Sequence, residues 1–229
     1  MPALRWLVIL GAIGAAAYFL SFRFWVSTRI CASDPDSLTQ FHGDYVDEVF
    51  LTTLKDTKSV PTAMKAWSLG PARPVAVSIT PDGIAAAENW HDGAITVDCA
   101  YALRKEVSLE GRSERYVRLD DRNDGAFRMA PYFNVLFSGC YRDQKNEPWC
   151  FRPNEIQIGQ TTHHGELQMD LATLPLENVV RLNQGDRLLV FRRTSAGGWT
   201  VNESGEASAQ ETLDWVQPWR VLTPAPASN

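Results

Sequence analysis

The feature that most constrains the fold is a change in the hydrophobic period near Pro74. Upstream of it, apolar residues recur at helical spacing, whereas Val75–Ile79 begins a series of short runs in which apolar and polar residues alternate. Turn-forming groups such as Pro81-Asp82-Gly83 and Asn123-Asp124-Gly125 separate these runs. Many short strands at spacings of about 8–12 residues predict an antiparallel β-barrel or sandwich. The scarcity of long amphipathic helices between the runs argues against a parallel α/β sheet.

The predicted strands share high β-propensity and flanking turn residues. They are Val75–Ile79, Ile84–Glu88, Ala94–Cys99, Ala102–Leu109, Tyr116–Leu119, Ala126–Met129, Asn134–Phe137, Trp149–Arg152, Glu155–Ile158, Glu166–Leu171, Arg187–Arg193 and Trp199–Val201. One or two short helices are predicted before them. The first helix is expected to begin at Asp44 as its N-cap, and the second at Ser59, with Pro61 in its first turn.

The N-terminal segment is uncharged from Trp6 to Phe22. If Arg23 snorkels to the interface, the run from Trp6 to Val26 is long enough for a membrane helix and would be the membrane contact of the protein. The alternative is a signal peptide that is cleaved near Ala15-Ala16-Ala17. Residues 1–26 are therefore assigned to a signal-anchor or a signal peptide.

All four cysteines follow this segment, and an even number in an exported domain indicates disulfides. Four cysteines allow three pairings, of which proximity favours Cys140 with Cys150 and Cys31 with Cys99. We therefore expect the domain to lie outside the cytoplasm. It would be anchored on the periplasmic side of a bacterial cytoplasmic membrane, or secreted if the leader is cleaved.

The rest of the chain is divided into a linker over residues 27–39, a single β-rich exported domain over 40–222 and a disordered tail over 223–229. The domain is long enough for one well-buried core. A net charge of −5 and the lack of a block rich in Lys and Arg argue against a nucleic-acid partner.

Gly43-Asp44-Tyr45 at the start of the domain and the helical lead-in over Tyr45–Ala63 resemble the start of bacterial lipocalin-like proteins, which are calycin-type barrels and carry Gly-x-Trp at this point. Asn89-Trp90-His91-Asp92-Gly93 is similar to a lipocalin hairpin, and Leu182–Asp186 with the strand after it is similar to a late barrel strand. The resemblance covers about Gln40–Arg193. It implies a barrel whose mouth admits an apolar ligand and which usually has no catalytic activity.

Three groups of residues are candidates for a site. Trp90, His91 and Asp92 are candidates for ligand-binding residues at the barrel rim, and Tyr141 and Trp149 for an interaction loop clipped by the Cys140–Cys150 disulfide. His163, His164 and Glu166 are weak candidates for metal ligands. If this segment is a strand, adjacent histidines point to opposite faces and do not easily share one ion.

Known catalytic and phosphate-binding motifs are absent from the sequence, which has no Gly-x-Ser-x-Gly elbow, no Walker A motif and no Gly-x-Gly-x-x-Gly. No catalytic residue and no cofactor is predicted. The leading hypothesis is a non-enzymatic binding protein that holds a lipid or another small apolar ligand in a barrel. The alternatives are a protein-interaction or inhibitor module of the cell envelope, whose protein partner is unknown, and an envelope hydrolase.

Overall fold

The structure is a computed structural model that describes residues 27–70, 72–87, 93–103, 105–120, 130–168, 177–183, 187–205 and 218–225. Within these ranges the chain forms two antiparallel sheets and four short helices. The strands of the first sheet are β1 (Thr28–Cys31), β2 (Gly43–Asp47), β3 (Ala76–Thr80), β4 (Gly83–Ala87), β5 (Ala94–Val97), β6 (Cys99–Leu103), β7 (Glu106–Leu109) and β8 (Tyr116–Asp120). The strands of the second sheet are β9 (Gly139–Arg142), β10 (Pro148–Arg152), β11 (Glu155–Ile158), β12 (Thr161–Gln168), β13 (Asn178–Leu182), β14 (Arg187–Arg193), β15 (Trp199–Gly205) and β16 (Arg220–Pro224). The helices are α1 (Pro35–Gln40), α2 (Glu48–Thr57), α3 (Val60–Ser68) and α4 (Ala130–Leu136).

The second sheet is a closed up-and-down barrel. Strands β9 to β16 pair with their neighbours in chain order, and β16 returns to pair with β9. Strand β12 turns a corner at Gly165, because residues 161–164 pair with β11 and residues 165–168 pair with β13. A Cβ atom on Gly165 would lie 3.1 Å from Val180 Cγ1 and 3.5 Å from Phe133 Cε2. The corner is therefore packed directly against the barrel interior.

The first sheet is open and has the strand order β1-β6-β7-β8-β2-β3-β4-β5. Its edges are therefore β1 and β5. One face carries an apolar cluster that includes Ile30, Tyr45, Val77 and Tyr116, and Leu38 of α1 packs into the same cluster. The other face joins a larger cluster that also contains the helices and the barrel, so the two sheets share one continuous core.

Helices α2 and α3 form a hairpin between the sheets. Asp47 caps α2 by accepting a hydrogen bond from the Phe50 N–H, and Ser59 caps α3 by accepting one from the Thr62 N–H. The cap at Ser59 and the position of Pro61 confirm the prediction for the second helix. The prediction that Asp44 caps the first helix is wrong: Asp44 lies within β2, where it pairs with Ser78 of β3.

Asn178, at the start of β13, ties this hairpin to the barrel. Its side chain is buried, accepts a hydrogen bond from the Val60 N–H at 2.7 Å and donates one to the Lys58 carbonyl at 2.8 Å. Lys58 itself adopts a left-handed conformation, with φ of 52°, and its Nζ donates to the Val135 carbonyl. One amide therefore satisfies two backbone groups at the turn where α2 ends and α3 begins.

We expect Asn178→Ala to lower the free energy of unfolding by about 1–3 kcal/mol, because it leaves the buried Val60 N–H without its acceptor. Urea denaturation followed by circular dichroism measures the change. Gln160→Ala, at an exposed turn, is the control and is expected to stay within about 0.5 kcal/mol of the wild type. Equal urea midpoints for Asn178→Ala and Gln160→Ala would contradict a stabilising role of the Asn178 hydrogen bonds.

Both predicted disulfides are present and pair as proximity suggested. Cys31 is bonded to Cys99 and Cys140 to Cys150, and the described residues include no free cysteine. Each bond joins residues that lie directly opposite each other on neighbouring strands, β1 with β6 and β9 with β10. Two disulfides indicate an oxidising environment outside the cytoplasm.

The mainly antiparallel β-architecture and the barrel confirm the predicted fold class at that level. Several local predictions differ from the structure. Residues 27–39 contain β1 and α1 instead of a linker, residues 134–136 belong to a helix instead of a strand, and the run over 102–109 contains a turn between β6 and β7. The predicted tail over 223–229 begins inside β16.

The motifs that resemble lipocalins are placed differently from the expectation. Gly43-Asp44-Tyr45 and the helical lead-in belong to the open sheet and its helices, whereas the closed barrel begins at Gly139. Of the motif residues that the structure describes, Leu182, Asn183 and the strand after them lie at the barrel, while residues 89–92 of the hairpin motif fall outside the described ranges. No helix within the described ranges is long and apolar enough to cross a bilayer, and residues 1–26 lie outside those ranges.

Candidate interaction surface

The interior of the barrel is filled by aromatic side chains of the chain itself. Phe137 follows α4 directly, is 1% exposed and contacts three strands. Its ring centroid lies 5.1 Å from that of Phe151, 4.8 Å from that of Phe191 and 4.9 Å from that of Trp199. Phe133 adds a further ring at 5.0 Å. The space in which an apolar ligand was predicted therefore holds a stack of packed rings.

The two aromatic residues of the predicted interaction loop also point inward. Trp149 is 0% exposed and Tyr141 is 7% exposed, and both belong to the barrel core. Between their strands, the Asp143 carboxylate accepts hydrogen bonds from the N–H groups of Lys145 and Glu147 and lies 3.1 Å from Arg220 Nε. The hairpin thus presents a polar tip to solvent, and neither ring offers an exposed docking surface.

The histidines on β12 do not converge. His164 is exposed and lies opposite Glu155, while His163 is half-buried on the other face of the strand, with Nδ1 3.1 Å from Asn183 Nδ2. Glu166 is exposed and pairs in register with Arg181. Within the described ranges, no three His, Cys, Asp or Glu residues are grouped so that they could hold a metal ion. Trp90, His91 and Asp92 lie outside those ranges, so their role at a rim stays a prediction.

The buried charges of the open sheet have partners within the chain. Asp47 forms a buried ion pair with Arg73, with Oδ2 2.6 Å from Nε, in addition to capping α2. Burial raises the pKa of Tyr116, and the nearby carboxylates of Asp47 and Glu114 raise it further. Asp47 lies where β2 meets α2, and its contacts fix the helix on the sheet.

A second polar group faces α4. The Asp44 carboxylate accepts a hydrogen bond from Ser78 Oγ at 3.1 Å, and both side chains are buried. Burial raises the pKa of Tyr132 well above its usual value, and the Asp44 charge adds to the effect. Tyr132 is therefore neutral at physiological pH and packs against Phe50 with a centroid distance of 6.0 Å.

Strand β5 lies at an edge of the open sheet and has exposed side chains. Among the described residues it is hydrogen-bonded to β4 alone. Ala94, Ile95 and Thr96 are all exposed, and Ile95 is one of four large apolar side chains of the described residues that are exposed to solvent, at 43% exposure. The strand carries no charge and no proline, whereas natural edge strands are usually protected by such residues.

The opposite edge of the same sheet, β1, is better protected. Arg29 lies on this strand and forms an ion pair with Glu110, at 2.9 Å between Nη2 and Oε1. Ile30 is 0% exposed, and a disulfide fastens Cys31 to the neighbouring strand. The two edges thus differ in charge and in exposure, and β5 is the one suited to pairing.

The sequence predicts the strand at Ala94 but not its position at an edge. An edge is defined by strand order, which depends on pairing between distant segments. The sequence feature that could have indicated the exposed edge is the lack of charge over Ala94–Val97, and the structure shows that this strand has exposed residues on both faces.

The chain matches no protein-family model, no curated protein and no solved structure at a significant level.

Proposed function

We propose that this chain is an exported, membrane-tethered, non-enzymatic module that binds another protein by accepting a strand at the β5 edge. The observation that carries this proposal is the exposed, uncharged edge of an otherwise well-protected sheet. In strand addition, main-chain hydrogen bonds supply the affinity and alternate side chains supply the specificity. Ile95 and Val97 lie on the face that continues the apolar cluster of the open sheet, and Thr96 lies on the other face.

The packing of the barrel favours a protein-binding role over the binding of a small ligand inside the barrel. A ligand-binding barrel needs space between its strands, and here the ring of Phe137 contacts those of Phe151, Phe191 and Trp199. In this proposal the barrel is a rigid support that presents the open sheet. Residues 1–26 supply the tether, and the two disulfides suit the exported location.

Site-specific photocrosslinking of the full chain in an exporting bacterial host tests the proposal. A photoreactive residue at position 95 is expected to form an adduct of protein mass, because the partner strand would contact Ile95. The same residue at position 152, which is exposed on a barrel strand, is the control. Adducts that are equally abundant at both positions, or none at position 95, would refute a specific surface at β5.

The lipid-binding hypothesis and the relation to lipocalin-like proteins stay predictions. Native mass spectrometry of the full chain, extracted gently in detergent, tests the first of them. We expect an oxidised chain without a lipid-sized adduct, because the barrel interior is filled. A stoichiometric lipid adduct would overturn this expectation and favour the ligand-binding barrel.

A further inference from the structure

We infer that the partner strand is β5 of a second copy of this chain, paired antiparallel about a two-fold axis that passes through Thr96 normal to the sheet. The inference rests on the proposed function and names its partner. A second copy is present in the same compartment at the same concentration, and its edge has the same exposure. The pairing would join two eight-stranded sheets into one continuous sheet.

The symmetry fixes which residues can face each other. Residues opposite one another in an antiparallel pair lie on the same face of the sheet. A two-fold axis normal to the sheet preserves the faces, so the two residue numbers of each opposed pair must have an even sum. With the axis at Thr96, Ile95 lies opposite Val97 of the second copy, Val97 opposite Ile95, and Thr96 opposite Thr96.

The side chains of this register are compatible with each other. Ile95 and Val97 are both β-branched and apolar and lie on the face of the apolar cluster, so their pairing extends that face across the interface. Thr96 lies on the other face, where pairs of threonines form favourable cross-strand contacts. Asp98 follows the strand, and its carbonyl accepts a hydrogen bond from the Ala32 N–H at 2.8 Å. No charged residue therefore lies within the paired segment Ala94–Val97.

Charge substitutions at the symmetry axis test this register. Thr96→Lys brings two ammonium groups together at the interface, and Thr96→Glu brings two carboxylates together. We expect native mass spectrometry of the full chain in detergent to show a wild-type dimer. Each variant is expected to have a dimer dissociation constant raised by at least about tenfold, because like charges that meet across an interface cost several kcal/mol. An equimolar mixture of the two variants is expected to restore the dimer as a Lys–Glu pair.

Thr161→Lys is the matched control, since Thr161 is also an exposed strand threonine but lies on the barrel. It is expected to dimerise as the wild type does. At about 50 µM protein, a dimer with a dissociation constant of about 1 µM would be the main species. A wild type that is monomeric at this concentration would overturn the inference. So would unaltered dimers of both Thr96 variants, or a mixture that fails to recover.

The mass of the crosslinked adduct at position 95 distinguishes a failure of this inference from a failure of the proposed function. An added mass equal to a second 25.6 kDa chain supports both. An adduct with a different protein supports strand addition at β5 and overturns the second copy as its partner. The lack of any protein adduct overturns both.

Discussion

Replacing Phe137 with alanine is expected to lower the free energy of unfolding by about 3–5 kcal/mol. The side chain is 1% exposed and contacts the rings of Phe151, Phe191 and Trp199, which belong to three different barrel strands. Because those strands are held in a closed barrel, they cannot move together to fill the space, and most of the cavity will persist. Urea denaturation followed by tryptophan fluorescence measures the loss.

Two further variants test whether the loss of stability comes from the missing volume of the Phe137 ring. Phe137→Leu retains much of the volume and is expected to cost about half as much as the alanine variant. Asn134→Ala changes an exposed residue of α4, the helix that Phe137 follows, and is expected to stay within about 0.5 kcal/mol of the wild type. If Phe137→Ala were as stable as Asn134→Ala, the barrel interior would not be filled by packed rings, and a small apolar ligand would have room to bind there.

The alternation of apolar and polar residues, together with the turn residues that flank it, is sufficient to predict most of the strands. Glu155–Ile158 and Arg187–Arg193 form strands with the predicted bounds, because alternation and flanking turns identify a half-buried strand without reference to its partner. The short apolar run at residues 134–137 was assigned wrongly. A run of that length fits a strand or a helix, and here its packing into the core that it shares with the barrel favours the helix.

The remaining differences come from contacts between distant segments. Asp44 and Asp47 are both good N-cap residues, but β2 pairs with β3 and β8 up to Asp47, so the helix can begin only after it. Residues 28–31 read as linker because their strand character depends on pairing with β6. The β5 edge could not be identified for the same reason, since strand order was not readable from alternation.

Removal of the Cys31–Cys99 disulfide by a double alanine substitution is expected to cost about 4 kcal/mol. The bond closes a segment with a sequence separation of 68, whereas Cys140–Cys150 closes one of 10. Restricting the longer loop removes more entropy from the unfolded chain, which gives about 4 kcal/mol for the first bond and about 3 kcal/mol for the second. Denaturation of the two double variants, each lacking one disulfide, gives the comparison.

Local hydrogen exchange adds a readout that global stability does not supply. Among the described residues β1 pairs only with β6, so without the disulfide its four residues are held at one edge by main-chain hydrogen bonds and the packing of Ile30. Strand β9, in contrast, has neighbours on both sides in the closed barrel. We expect the amides of β1 to exchange faster in the variant lacking Cys31–Cys99, while those of β9 stay protected in the variant lacking Cys140–Cys150. An equal loss of protection in β1 and β9 would show that neither sheet closure nor the edge position of β1 decides local stability.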